Sequence, residues 1–184
     1  MKALSGTNRV VITATRSGYE QNFTRFGGHL AAALDDPAAD LDQDGQTSLL
    51  ESFLSASFRV AEFYKTEGRL ATEHPLLDDN GDGLGTPADW FRGLRAVKRP
   101  KDRSALDGLR AHQLHLVRSA TDDALTPEAR RRRDELELAI AALRDTKSSL
   151  AEDAYYKRLE PLVLELARLY GDAPGMPAPA PPSP

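Results

Sequence analysis

The chain has 184 residues, 40% of them hydrophobic, with a formal net charge of -4 and a pI near 5.6. That length suits one ordinary domain plus an appendage, and mild acidity argues against nucleic acid as the main partner. The absence of cysteine excludes disulfides, cysteine-ligated zinc and a cysteine nucleophile; no apolar run approaches the roughly 20 residues of a membrane helix, and no signal-peptide core is seen near the N-terminus, which leaves the compartment open.

Taken in chain order, Arg9 to Thr15 (RVVITAT) is β-branched and almost continuously apolar. It reads as a strand buried on both faces, the pattern of a parallel sheet, although the rest of the chain offers few partner strands. Arg25 to Leu34 reads as a short helix ended by Asp35, Asp36 and Pro37. Ser48 to Lys65 reads as a strong amphipathic helix, with Leu49, Leu50, Phe53, Leu54, Ser57, Val60, Ala61 and Tyr64 at helical spacing and Gly68 as its stop. Residues 69–89 read as an irregular loop. Trp90 to Val97 fits a short helix or a strand, residues 99–108 a polar linker, and Leu109 to Arg118 is ambiguous between the two, with strand slightly favoured.

Thr126-Pro127-Glu128 is a helix start, with threonine as N-cap, proline at the first helical position and an acid in the first turn. That helix should run to about Lys147. Ser149 and Glu152 have the spacing of a capping box for the next helix. In it, Tyr155, Leu159, Leu162, Leu166 and Leu169 step by four and three, the spacing of a two-helix seam, with a kink expected at Pro161. Residues 126–172 therefore form a helical hairpin, followed from Ala173 by a proline-rich tail.

Between the first two helices lies DLDQDGQTSLLE, Asp40 to Glu51. Calcium takes six to eight oxygen ligands, and a chain wraps it when alternate residues turn oxygens inward around a sharp bend. Asp40, Asp42 and Asp44 fill positions 1, 3 and 5 of such a loop, and Gly45 fills position 6. Gln46 offers a backbone carbonyl at 7, Ser48 stands at 9, and Glu51 closes the loop at 12. Thr47 holds position 8, where an apolar residue would pair with a partner loop. Asp35, Asp36, Asp40, Asp42, Asp44 and Glu51 repel one another across a segment with no lysine or arginine, which favours a cation. The plainer alternative is an acidic turn capping the next helix. A second loop from Asp78 places Asp78, Asn80 and Asp82 at positions 1, 3 and 5, Gly83 at 6 and Asp89 at 12, a weaker site; its alternative is an Asn-Gly-Asp-Gly turn. Pro37 before the first loop, and Gly68 and Pro75 before the second, break the entering helices that regular EF-hands need.

Other residues carry less. His112 and His115 lack an evident third ligand and read as surface or packing residues. Arg130 to Arg133 precede Asp134, Glu135 and Glu137 at i,i+4 spacing, which reads as a salt-bridged solvated face. Asn22 begins a glycosylation-type tripeptide too common to weigh, and no serine has the context of a nucleophile.

The run SGTNRVVITATRSGYEQNFTRFGGHLAAAL, the acidic loop and long helix, and RLATEHPLLDDNGDGLGTPADWF together resemble the C-terminal half of a bacterial caspase/legumain-like cysteine peptidase domain. The resemblance spans roughly residues 4–92 and, more loosely, the hairpin. It implies a strand at Arg9–Thr15 just after the catalytic cysteine, with acidic insertions where the two loops stand. The family's His-Gly and nucleophile lie upstream of that strand, and His29 does not match the catalytic histidine. The implied object is a half-domain completed by a missing N-terminal half or by another chain.

The sequence thus predicts a helix-rich α/β fold: a partial caspase-like half-domain over 1–98, an extension over 99–125, the hairpin over 126–172 and a tail over 173–184. The expected function is structural Ca2+ binding by a non-catalytic chain, with no nucleic-acid or membrane partner. Two alternatives stand beside it: a fragment or subunit of such a peptidase, and an interaction module built on the hairpin.

Overall fold

The computed structural model of the chain describes residues 1–21, 23–98 and 106–171. Asn22, most of the expected 99–108 linker and the proline-rich tail from Ala173 lie outside the described residues. Helix accounts for 52% and strand for 9% of the structure, a mixed helix and sheet architecture. It divides into two units, residues 1–117 and 118–184.

The first unit is built on one helix. Ser48 has extended backbone and its hydroxyl accepts from the Glu51 N–H, while the Glu51 carboxylate accepts from the Ser48 N–H. This capping box satisfies donors that a helix start leaves open, and α2 runs from Leu49 to Thr66. Gly68, at φ +63°, ends it, and the Arg69 N–H returns to the Tyr64 carbonyl at 2.9 Å. The inward stripe is Leu50, Phe53, Ala56, Val60 and Tyr64. It packs with Phe26 of α1 (Phe26–Ala33), with Leu77 and with Ala111. Ala61, placed on the stripe by its spacing, is exposed, and Ala56 takes that role. No side chain of its own caps α1. Buried Glu73 does so from 48 residues away, accepting from the Arg25 and Phe26 N–H groups at 2.9 and 3.0 Å.

The sheet overturns the parallel reading. β1 (Val11–Thr13) pairs antiparallel with β2 (Leu76–Asp78), with Ile12 opposite Leu77. β2 in turn pairs antiparallel with β3 (Thr86–Pro87). An apolar run reports burial on both faces and is blind to strand direction: Val10, Ile12 and Ala14 pack on the core, while Val11 is buried between them in sequence. The expected loop over 69–89 therefore contains two strands, too short to show a period of two, with Pro87 in an edge strand where a missing donor is tolerated. A 3-10 turn over Ala88–Trp90 leads into a small hairpin of β4 (Phe91–Arg92) and β5 (Arg95–Ala96), so Trp90 to Val97 is a two-stranded hairpin rather than a helix.

Leu109 to Arg118 is not a strand. Its first half is α3 (Leu109–Gln113), because buried Asp79 accepts from the Gly108 and Ala111 N–H groups at 2.9 Å each. A cap supplied from 29 residues upstream leaves no local sequence signal.

The second unit holds α4 (Ala120–Ala124), α5 (Pro127–Asp145) and α6 (Glu152–Gly171). Thr126 caps α5, accepting from the Ala129 N–H. Ser149 caps nothing: its hydroxyl donates to the Thr146 carbonyl at 2.8 Å within a 3-10 turn over Lys147–Ser149, and α6 starts at Glu152 and continues through Pro161. Arg132, early in α5, bonds Glu165, late in α6, at 2.7 and 3.0 Å, which fixes an antiparallel hairpin. The arginines are paired along and beyond their own helix. Arg131 reaches back to Glu128, Arg132 reaches Glu135, and Arg133 is buried against Asp122 and Asp134.

Candidate metal centre

The first loop is entered through a 3-10 turn over Pro37–Ala39, capped by Asp36, and left through the start of α2. No helix runs into it, as Pro37 implied. Gly45 (φ +84°) supplies the left-handed backbone at the bend, and Gly83 (φ +73°) does the same at position 6 of the second loop. Within the first loop each aspartate turns back on the chain. Asp40 accepts from the Asp44 and Gly45 N–H groups at 3.2 and 3.0 Å, Asp42 from Asp44 at 3.3 Å, and Asp44 from Gln46 at 2.8 Å. These bonds fold the loop so that one carboxylate oxygen from each of Asp40, Asp42 and Asp44 lies within 4.8 Å of the others. Oxygens bound to one calcium at 2.3–2.6 Å lie at most about 5 Å apart, so the three fit around a single ion.

Glu51, fully buried, stands over the same loop. Its Oε1 accepts from the Leu41 N–H at 2.8 Å and the Asp42 N–H at 3.3 Å, and its Oε2 accepts from the Ser48 N–H and hydroxyl at 2.8 Å each. Burial first, then the charges of Glu51 and Asp44, push the Asp42 carboxyl above its usual range. Like charges gathered in this way are relieved by a cation.

The two acidic loops do not pair with each other. Position 8 of the first loop is followed by a bridge between Ser48 and His115, and the Leu49 N–H donates to the Leu114 carbonyl at 2.7 Å. His112 adds a contact that the sequence did not reveal, its Nε2 lying 3.7 Å from Asp42 Oδ2.

The second loop joins β2 to β3 and so is a hairpin turn rather than a helix approach. Its scaffold follows the first. Buried Asp78 accepts from the Gly81 and Gly83 N–H groups at 3.0 Å each, Asn80 accepts from Asp82 at 2.8 Å, and Asp82 accepts from Leu84 at 2.7 Å. Asp89, expected at position 12, is exposed and paired with Lys98 at 2.7 Å.

Comparison of the chain with protein-family models, curated proteins and solved structures finds no match. The geometry therefore carries the functional argument alone. Among the described residues, no helix is long and apolar enough to cross a membrane.

Sequence reasoning missed Asp107. Its carboxylate is buried against the Asp79 and Asn80 N–H groups (3.0 and 3.2 Å) and the Thr86 hydroxyl (2.5 Å). No spacing rule joins residue 107 to residue 79, so only the folded chain shows the link. Desolvation pushes its pKa up from 3.8 to about 7. A carboxyl raised in this way stays protonated in the folded state while the unfolded chain has lost its proton. Its contribution is therefore complete below about pH 4 and is lost as pH rises toward 7. Urea unfolding in chelator across that range is expected to show this decline, and Asp107→Asn, which carries no titrating group, should flatten it relative to wild type.

Proposed function

We propose that the chain is a calcium-binding structural module, non-catalytic as it stands. Asp40, Asp42, Asp44, the Gln46 carbonyl and Glu51 hold one ion, and Asp78, Asn80 and Asp82 hold a second, weaker one. The observation that carries this reading is the convergence of the Asp40, Asp42 and Asp44 oxygens within 4.8 Å, in a loop whose Leu41 and Asp42 N–H groups are bonded by buried Glu51. The donor set is all oxygen, which suits a hard cation, and a loop of mostly protein ligands suits calcium better than magnesium, which keeps several of its waters. The ion would tie the 40–44 segment to the first turn of α2 and act as a clasp rather than a sensor.

Isothermal titration of the metal-free protein with calcium is expected to show at least one site, with the melting temperature rising as calcium is added, since a ligand of the folded state stabilises it by mass action. A titration without calcium-dependent heat, together with an unchanged melting temperature, sinks the reading.

A further inference from the structure

The two helices of the hairpin differ on their outward sides. α6 packs with α5 and carries Tyr155, Leu159, Leu162, Leu166 and Leu169 on one side, all buried or half-buried. A helix turns about 100° per residue, so Leu164 stands on the side opposite Tyr155. Leu164 is 49% exposed, and Tyr156 and Val163 beside it are 49% and 45% exposed. α5 exposes no large apolar side chain; its outward positions hold the paired charges Arg131 with Glu128 and Arg132 with Glu135. A helix that is apolar on two sides has two surfaces to bury, and α5 covers one of them. Charge marks the second. Glu160 and Arg168 stand one turn before and one turn after Leu164, each within about 40° of it around the helix. Among the described residues Glu160 forms no ion pair within the chain. Glu165, the acid near Arg168, is already held by Arg132.

We propose that this outward face of α6 docks on the same face of a second copy of the chain, the two helices running antiparallel about a two-fold axis at Leu164. The order Glu160, Leu164, Arg168 is acid, apolar, base at equal spacing, and that order is self-complementary. Reversing one copy sets Glu160 opposite Arg168 of the second copy, and Arg168 opposite its Glu160, with the two Leu164 side chains meeting between them. A parallel pair would instead place acid against acid and base against base, which costs stability. An interface that repeats the same patch on both partners is the usual form of a two-fold dimer. One helix pair is a small interface, so the dissociation constant belongs in the range of micromolar to hundreds of micromolar. The pairing uses none of the candidate metal ligands and stands apart from the calcium reading.

The test is sedimentation equilibrium of the full chain in chelator, from about 10 µM to about 1 mM. The mass is expected to rise from 20.1 kDa toward twice that value. Leu164→Glu, at the centre of the face, should weaken the dimer at least about tenfold. Glu160→Arg and Arg168→Glu should each do the same, because each sets like charges opposite one another. The two changes together in one chain restore the opposite-charge pairs and should return the constant to within about threefold of wild type. All three positions are exposed, so the fold persists, and unchanged far-UV circular dichroism checks this. A wild-type chain that stays monomeric at about 1 mM overturns the proposal. So does a dimer that Leu164→Glu leaves intact, since the copies then join elsewhere. A double charge swap as weak as the single ones overturns the antiparallel pairing and the proposal with it.

Discussion

Replacing Glu51 with glutamine is expected to weaken calcium binding at the first loop on the order of a hundredfold, since ligand charge moves such loops across decades of affinity. The same change should destabilise the metal-free protein. Glu51 accepts four bonds, from the Leu41, Asp42 and Ser48 N–H groups and the Ser48 hydroxyl. Glutamine accepts on one side only, so its amide would face donors on the other, at about 1–3 kcal/mol for a buried group left unpaired. Calorimetry gives the affinity and urea unfolding in chelator gives the stability. A full-affinity Glu51→Gln protein would remove Glu51 from the ligand set. An unchanged urea midpoint would mean that the capping network contributes nothing.

Phe53→Ala is expected to lower the stability of the first unit by about 3–5 kcal/mol, a large share of the 5–15 kcal/mol typical of a folded domain. Phe53 is fully buried at the centre of the α2 stripe, and its ring meets that of Phe26 edge-on, with centroids 6.0 Å apart. Alanine leaves a cavity bounded by elements that α1, α2 and β2 hold in place, so the site closes little. Phe58, five residues on, is 66% exposed, and Phe58→Ala should stay within about 0.5 kcal/mol. Equal midpoint shifts for the two variants in chemical denaturation would show that α2 is not seated as described.

What could be read from the chain follows how local each determinant is. The start of α2 was legible because Ser48 and Glu51 cap it within one turn, and the start of α5 because Thr126 and Pro127 are adjacent. The first acidic loop was legible for the same reason, its candidate ligands lying within twelve consecutive residues. The misses share the opposite property. α3 depends on Asp79, α1 on Glu73 and the second loop on Asp107, each remote in sequence from what it holds. The direction of β1 depends on β2, more than sixty residues away. Ser149 fitted a capping pattern but lost it to the Thr146 carbonyl, a competition that spacing does not encode. The histidine facing Asp42 was visible as a residue and invisible as a neighbour.

The thin apolar seam of the hairpin has a kinetic consequence. Among the described residues of the second unit, Leu125, Leu136 and Tyr155 are its buried apolar side chains, while the Arg132–Glu165 bonds that tie its helices lie at the surface. Little free energy then separates the closed pair from an open one. Backbone amide protons of α5 and α6 should trade with deuterium together, through brief cooperative openings of the whole hairpin. Those of α2, locked around Phe53, should wait for the first unit to unfold.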